Sequence, residues 1–360
     1  MPKADNKKIC IVVTSLGKGG AERSSGLLSQ MLYDVGCDVH VVSVLNSIEF
    51  PYKGKLLNLG ELKDNDDSAL GRWKRLRVLK AYLKAHNFDY IIDNRTRIGF
   101  LKELVISKFI YNPKNIIYCI RSYKMANYIN PKPFLAKLLY GNAYKIVCVS
   151  KAIAEDIKKT YAFKNVTTIY NSIDIPEETE NYKSDHRYIL FFGRLDDEVK
   201  NISLLLEGYA KSNLQRHEIK LKILGEGKDL EKLKQLVQSL NIASDVQFLG
   251  YNSNPEPIVN AALFTVLTSK YEGFPRSILE SLALGTPVIS VDCKSGPNEI
   301  IQNNTNSILV ENHHPEQLAE AMNRLVEDKD LYLLCKQNAK SSILPFSAQN
   351  ISEQWQSILK

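Results

Sequence analysis

Along the chain, short apolar runs rich in β-branched side chains alternate with longer stretches in which apolar residues return every three or four positions. In the first half the short runs fall at 8–14, 38–45, 55–59, 89–93, 115–120 and 145–150. Continuous apolar runs of this length, bounded by turn residues, read as buried strands, and the longer amphipathic stretches read as helices. Their alternation predicts an α/β fold in which helices cover a parallel sheet. After the polar stretch 176–185 the pattern restarts, with strands expected at 188–192, 220–224, 245–249, 263–267, 287–291 and 307–310. Two consecutive Rossmann-like, doubly wound domains are therefore expected, 1–175 and 186–345, joined by a linker near 172–187 and followed by a closing segment, 346–360. A length of 360 residues points the same way, being more than one core ordinarily supports. Ligands bind such sheets outside the carboxyl ends of the strands, so a cleft between two domains is the expected site. No repeat of solenoid period and no low-complexity tract is present.

With 44% hydrophobic and 24% charged residues, the composition is that of a soluble globular protein and excludes a mostly disordered chain. Residues 1–8 are polar and lead straight into the first strand without the pattern of a signal peptide, and no apolar run is long enough to span a bilayer. A cytoplasmic protein is expected, with room for a position on a membrane surface. Cys10, Cys37, Cys119, Cys148, Cys293 and Cys335 are scattered, mostly in apolar runs, and read as reduced core thiols. The net charge of +7 conceals an asymmetry: 28 Lys and Arg against 14 Asp and Glu up to Asn171, then 19 against 26, or +14 followed by −7. A basic first half attracts anionic partners such as phospholipid, nucleic acid or an acidic substrate.

Candidate chemistry begins at the turn after the first strand, where Gly17, Gly19 and Gly20 precede a helical pattern at Leu27, Leu28, Met31 and Leu32. Glycines allow close backbone approach, and a helix start offers free N–H groups to an anionic or hydroxyl-rich ligand. The spacing is not that of a dinucleotide fingerprint, and the second strand ends at Asn46 without the acidic residue that would hold a ribose. A tight turn without a ligand stays open as the alternative.

Residues 271–287 are more informative. Pro275 suits a first helical turn and Gly285 with Pro287 is a stop signal, so a short helix is expected over 275–284, between two strands. Glu272 then lies in the loop and Glu280 more than one turn inside the helix, several ångströms from the free N–H groups of Arg276 and Ser277 at about 1.5 Å of rise per residue. A diphosphate seated on those N–H groups would meet one carboxylate at its sugar end and another at its ribose end. Two solvated surface glutamates are the alternative, but Gly273-Phe274-Pro275 at a helix start is poor core material and suits a ligand loop.

At Glu272-Gly-Phe-Pro-Arg-Ser-Ile-Leu-Glu280 the chain resembles the retaining glycosyltransferases of family 4, the group 1 transferases of GT-B fold, whose signature is a glutamate, seven residues and a second glutamate. The resemblance runs over nearly the whole chain, through Gly19-Gly20-Ala21-Glu22-Arg23, Tyr170-Asn171-Ser172-Ile173-Asp174, Phe192-Gly193-Arg194-Leu195 with Lys200-Asn201, Gly225-Glu226-Gly227 and Ser295-Gly296-Pro297-Asn298-Glu299-Ile300. It implies two Rossmann-like domains facing across a cleft, an acceptor-binding one and a nucleotide-sugar-binding one, with the C-terminal helix crossing back to the first. It further implies that Arg194 and Lys200 neutralise the donor diphosphate, that Glu280 holds the ribose and Glu272 the donor sugar, and that Gly19, Gly20, Gly225, Gly273, Phe274, Pro275, Arg276 and Ser277 line the donor. Fixed cations and helix N–H groups are what a departing nucleotide diphosphate requires. No cofactor and no metal is expected; Asp64, Asp66 and Asp67, like Asp196 and Asp197, read as solvated turn residues. Retention is commonly explained by front-face attack through an ion pair, so Glu272 is not expected to act as a nucleophile.

Where many relatives have a histidine after the fifth strand, this chain has Arg121, which stays protonated and cannot act as a general base. Arg121 is expected either to bind an anionic group or sugar or to be an ordinary surface arginine. The six histidines show no ligand spacing. Trp73, Leu76, Val78, Leu79 and Leu83 are interleaved with Lys74, Arg75, Arg77, Lys80 and Lys84, and Phe134, Leu135, Leu138, Leu139 and Tyr140 occur with Lys132 and Lys137. Such helices either lie on an anionic membrane or simply pack an apolar face inward. The expected activity is bacterial-type transfer from a UDP-hexose or UDP-N-acetylhexosamine to a glycan or lipid-linked acceptor of polysaccharide, lipopolysaccharide or glycoconjugate synthesis. UDP follows from family frequency, and an N-acetylated sugar from the likeness of 296–299 to certain transferase loops. The alternatives are a sugar-nucleotide epimerase on the same fold, a non-catalytic partner subunit, and a nucleic-acid-binding protein, for which no motif is present.

Overall fold

The computed structural model describes residues 7–17, 19–176 and 182–360, so Lys18 of the glycine turn, most of the polar N-terminus and part of the expected linker lie outside the described residues. The chain divides into two compact units, residues 1–172 with 348–360, and residues 173–347.

In the first unit seven parallel strands form one sheet: β1 Lys8–Val13, β2 Asp38–Ser43, β3 Lys55–Asn58, β4 Tyr90–Asp93, β5 Ile116–Ile120, β6 Lys145–Cys148 and β7 Val166–Thr168, in the order β3-β2-β1-β4-β5-β6-β7. Ile9 to Val13 are almost completely buried because helices cover both faces of a parallel sheet, which is why these strands are continuously apolar. Ile9, Ile11 and Val13 pack with Leu28 and Leu32 of the helix Gly20–Asp34. Ile351 and Trp355 of the helix Ala348–Ile358 complete the same core, and Tyr90 and Tyr144 donate their hydroxyls to the main-chain oxygens of Lys360 and Ile358. Chain order reverses between β1 and β4, so the glycine turn and residues 94–97 flank that unit's switch point.

Behind that point lies a fully enclosed ion cluster. Arg95 Nη2 is 2.7 Å from Asp93 Oδ2 and 3.2 Å from Glu103 Oε2, while Arg97 donates to the carbonyls of Cys119 and Tyr128. Burial by itself would raise the Asp93 pKa, but the two arginines and their hydrogen bonds outweigh it and hold the carboxyl below its usual range. Helix Leu59–Asn65, started by Asn58 Oδ1 accepting from Gly60 N, carries Asp64, which the sequence had placed in a turn. All six cysteines are buried and unpaired.

The second unit repeats the plan with β8 Tyr188–Phe192, β9 Lys220–Leu224, β10 Val246–Gly250, β11 Thr265–Leu267, β12 Val288–Val291 and β13 Ile308–Val310, all parallel and ordered β10-β9-β8-β11-β12-β13. Its core joins Ile189, Phe191, Leu221 and Ile289 of the sheet to Leu205 and Leu318 of the helices Ile202–Lys211 and Pro315–Glu327. Order reverses between β8 and β11, so the loops after those two strands flank the position where open α/β sheets accept ligands. Among the described residues no helix is long and apolar enough to cross a membrane.

Candidate active site

The loop after β8 carries Arg194 and Lys200, and the loop after β11 carries Glu272 and leads into the helix Arg276–Ala283. The first loop is set by glycine. Gly225, at φ 143°, lies so close to the neighbouring loop that a Cβ there would stand 1.9 Å from the Gly193 carbonyl oxygen. Leu195 N then donates to Glu226 O at 2.8 Å, fixing the course of the chain past Arg194.

A single turn, Asp197–Lys200, follows, and Asp197 anchors it. Its carboxylate accepts from Ser203 N at 2.8 Å, Ser203 Oγ at 2.7 Å and Lys232 Nζ at 2.8 Å. These bonds explain why Asp197 is buried and not, as the sequence suggested, solvated. Burial pushes its pKa up, but the Lys232 and Ser203 hydrogen bonds prevail and hold it below the usual carboxylate value.

At the end of that turn Lys200 Nζ lies 2.6 Å from Glu272 Oε1, which also accepts from Ser269 Oγ at 2.7 Å. The lysine and glutamate side chains are 20% and 14% exposed, too enclosed to be ordinary surface charges yet open at the tip. Lys200 keeps two ammonium hydrogens unengaged, and Glu272 Oε2 accepts no hydrogen bond among the described residues. The loop is fixed from behind: Glu272 N donates to Lys294 O, and Ser295 Oγ donates to Gly273 O at 2.6 Å. Gly296, at φ 103°, presses against it so closely that a Cβ would meet Pro275 Cδ at 2.4 Å. Phe274 is buried edge-on against Phe346 with ring centres 5.1 Å apart.

Pro275 then opens the helix, in which Arg276 Nε donates to Glu280 Oε1 at 3.1 Å, one turn away. Glu280 is 18% exposed, so it too is no ordinary surface carboxylate. Ser277 is half-buried in the first turn, whose N–H groups have no side-chain cap from Pro275.

The structure thus joins Lys200 to Glu272 and Arg276 to Glu280. Arg194 is exposed and forms no ion pair among the described residues. Gly19 and Gly20 are exposed at the start of the helix Gly20–Asp34 in the first unit. In that same unit Arg121 leaves the end of β5 to bond Asn171 Oδ1 at 2.7 Å and Asn94 Oδ1 at 3.4 Å, while Asn94 bonds Ser25. Reading the sequence missed Asp197, Ser269 and Ser295 as parts of the site. It also missed the Arg276–Glu280 contact, although their i,i+4 spacing signals one.

Two family models match consecutive parts of the chain, Glycosyltransferase Family 4 at residues 18–177 and Glycosyl transferases group 1 at residues 174–342. The chain is a family 4, group 1 glycosyltransferase. A curated relative, the N-acetylgalactosamine-N,N'-diacetylbacillosaminyl-diphospho-undecaprenol 4-alpha-N-acetylgalactosaminyltransferase of Campylobacter jejuni, is 27% identical over 96% of this chain and 97% of its own length. Among solved structures, TarM, from S. aureus, superimposes with a TM-score of 0.82 at 17% identity over all of both chains. Anabaena HepE in complex with UDP-glucose follows at a TM-score of 0.78 and 19% identity, over 98% of this chain and 99% of its own. This glycosyltransferase therefore has the GT-B fold, and the two loops described above flank the switch point of its second unit's sheet.

Proposed function

We propose that this glycosyltransferase moves a hexose or N-acetylhexosamine residue from a UDP-linked donor to a glycan or lipid-linked acceptor of polysaccharide, lipopolysaccharide or glycoconjugate synthesis, with retention and without a metal. The observation that carries the reading is the pairing of Lys200 with Glu272 and of Arg276 with Glu280 on the loops beside one sheet's order reversal. Two acids are thereby presented with a cation beside each, as a sugar nucleotide's two polar ends and central diphosphate require. The names of the Campylobacter relative and of the UDP-glucose complex support the donor and acceptor classes.

In this reading the donor diphosphate lies along the N–H groups of Arg276 and Ser277, and Glu280 accepts from the ribose hydroxyls. Lys200 turns part of its hydrogen bonding from Glu272 to the phosphate, aided by Arg194. Glu272 is then free to accept from hydroxyls of the donor sugar. The bond between the anomeric carbon and the β-phosphate oxygen breaks, its electron pair remaining on UDP. The acceptor oxygen bonds to the same face of that carbon and passes its proton to the departing phosphate. Lys200, Arg194 and the helix amides stabilise the growing negative charge, which is the part a divalent ion would otherwise play. Gly225, Phe274 and Pro275 shape this pocket without chemistry of their own, and Gly273 allows close backbone approach to the sugar; in the first unit the turn at Gly19 and Gly20 offers open backbone to a hydroxyl-rich ligand of its own. The protein acts at the cytoplasmic face of the membrane, as a lipid-linked acceptor demands.

Incubation with a panel of nucleotide sugars and membrane-extracted acceptor tests the reading. Release of UDP matched by a new α-glycoside from an α-linked donor is the expected product pattern. An isomerised donor without glycoside, or no stabilisation of the fold by any nucleotide diphosphate, would overturn it.

A further inference from the structure

Between residues 69 and 140 the first unit carries 15 Lys and Arg against 3 Asp and Glu. Three helices arise from this stretch, Ala69–His86, Phe100–Val105 and Pro133–Tyr140, and all three contact the π-helical turn Ile106–Ile110, which makes them neighbours on one side of the sheet. Helix Ala69–His86 resolves the two readings of its sequence residue by residue: Leu79 and Leu83 are buried, while Trp73 faces solvent. Leu70, Trp73, Ile98, Leu101, Phe109 and Phe134 are between 62% and 81% exposed. Five of the six lie in, just before or just after the first turn of a helix, and each of these helices runs back against the strands, so the apolar tips border the carboxyl edge of the sheet. Around them Lys74, Arg77, Lys108, Lys124, Lys132 and Lys137 form no ion pair among the described residues.

From this arrangement we propose that this side of the first unit is a docking surface for an anionic phospholipid bilayer, the exposed apolar tips entering the acyl region and the lysines resting among the headgroups. Three observations select that occupant. Monomeric proteins seldom display this much large apolar side chain on neighbouring elements without a partner. Protein interfaces are depleted in lysine, the cation that dominates here. Leu70, Ile98 and Leu101 are aliphatic and give a nucleic acid nothing to stack on, whereas an interfacial surface wants apolar tips ringed by basic residues. The proposal deepens the reading of the enzyme as one with a lipid-linked acceptor and rests on it for its purpose; the surface itself is read independently of donor chemistry.

Flotation of the purified chain with phosphatidylcholine vesicles, with and without phosphatidylglycerol, is the test, alongside a Trp73→Ser/Leu101→Ser/Phe134→Ser variant and a Lys74→Glu/Lys132→Glu/Lys137→Glu variant. The chain should float with anionic vesicles and not with neutral ones. The partition coefficient should fall about tenfold for each large apolar side chain removed, and the charge variant should not bind. UDP-induced thermal stabilisation, read in the same samples, should match the wild type in both variants, since every substituted position is exposed and lies in the first unit. Absence of flotation, or flotation unchanged in both variants, overturns the proposal, as does dimerisation or duplex DNA binding that these substitutions abolish while flotation persists. Loss of UDP stabilisation in the wild type sinks the transfer reading alone, so the two failures are distinguishable.

Discussion

Replacing Lys200 by alanine separates its two expected duties, holding Glu272 in the free enzyme and meeting the phosphate during transfer. In the folded chain the ammonium sits 2.6 Å from Glu272, with side chains 20% and 14% exposed, so the contact falls between a surface ion pair and a buried one. Surface pairs contribute about 0–1 kcal/mol and breaking a buried pair costs about 3–5 kcal/mol. Ser269 still bonds the carboxylate in the variant, and Glu272 keeps some access to water, which places the loss near 1–2 kcal/mol. For a unit of this size that lowers the melting temperature by roughly 2–8 °C. The kinetic loss should be larger, because a cation aimed at a departing phosphate acts where charge develops; removing one such group costs on the order of 100- to 1000-fold in kcat. Steady-state UDP release from a saturating donor and acceptor gives that number, and the melting curve of the same preparation gives the first. Lys200→Arg should recover part of the rate. A Lys200→Ala enzyme with wild-type kcat, or one whose rate loss equals the fraction unfolded at the assay temperature, would refute the assignment.

Glu280→Gln should leave Arg276 in place but weaken the hold on the ribose, so thermal stabilisation by UDP should shrink and KM for the donor rise about tenfold, with kcat changed less; unchanged UDP stabilisation would count against a ribose contact. Asp197 has a folded-state pKa below its unfolded value, so it stabilises the fold above the unfolded pKa, near 3.8, and that contribution disappears as pH falls through the lower folded value. Acid titration of Asp197→Asn should therefore show a shallower stability loss below about pH 4 than the wild type, together with slower transfer at neutral pH because the turn bearing Lys200 is loosened. Gly296→Ala, strained at φ 103° and colliding with Pro275, should destabilise the second unit by about 1–3 kcal/mol and depress transfer more than the melting shift explains. Exhaustive treatment with EDTA should leave the initial rate unaltered; restoration of a lost rate by Mg²⁺ or Mn²⁺ would contradict metal independence.

Most strands were legible because a strand buried on both faces must be apolar throughout, and Ile9 to Val13 or Ile116 to Ile120 carry that mark in any reading frame. β7 escaped because three residues, Val166–Thr168, give no periodicity, and the helix Leu59–Asn65 because its sequence presents no apolar stripe. The helix after Pro275 could be read from its proline start and glycine stop. Contact between Lys200 and Glu272 could not, since 72 residues and three strands separate them and only the fold brings them together. Asp197 looked like a solvated turn residue because nothing local shows that Lys232, 35 positions on, reaches its carboxylate. The basic helix was ambiguous for another reason: charges on all sides of Ala69–His86 hide which leucines turn inward, and only tertiary packing distinguishes Leu79 from Leu70.

The part played by Ala348–Ile358 bears on how the protein is made. Translation delivers residues 1–172 first, yet Ile351 and Trp355, which close the core beneath Ile9 and Ile11, are added only after the whole of the second unit. Of the two units, the one whose strands are made earlier is thus closed later, and until then it holds open a gap the size of an indole ring. A nascent chain stopped before position 348 would display that gap to chaperones and proteases, so the first unit's fold is completed only once the residues of the second have been made.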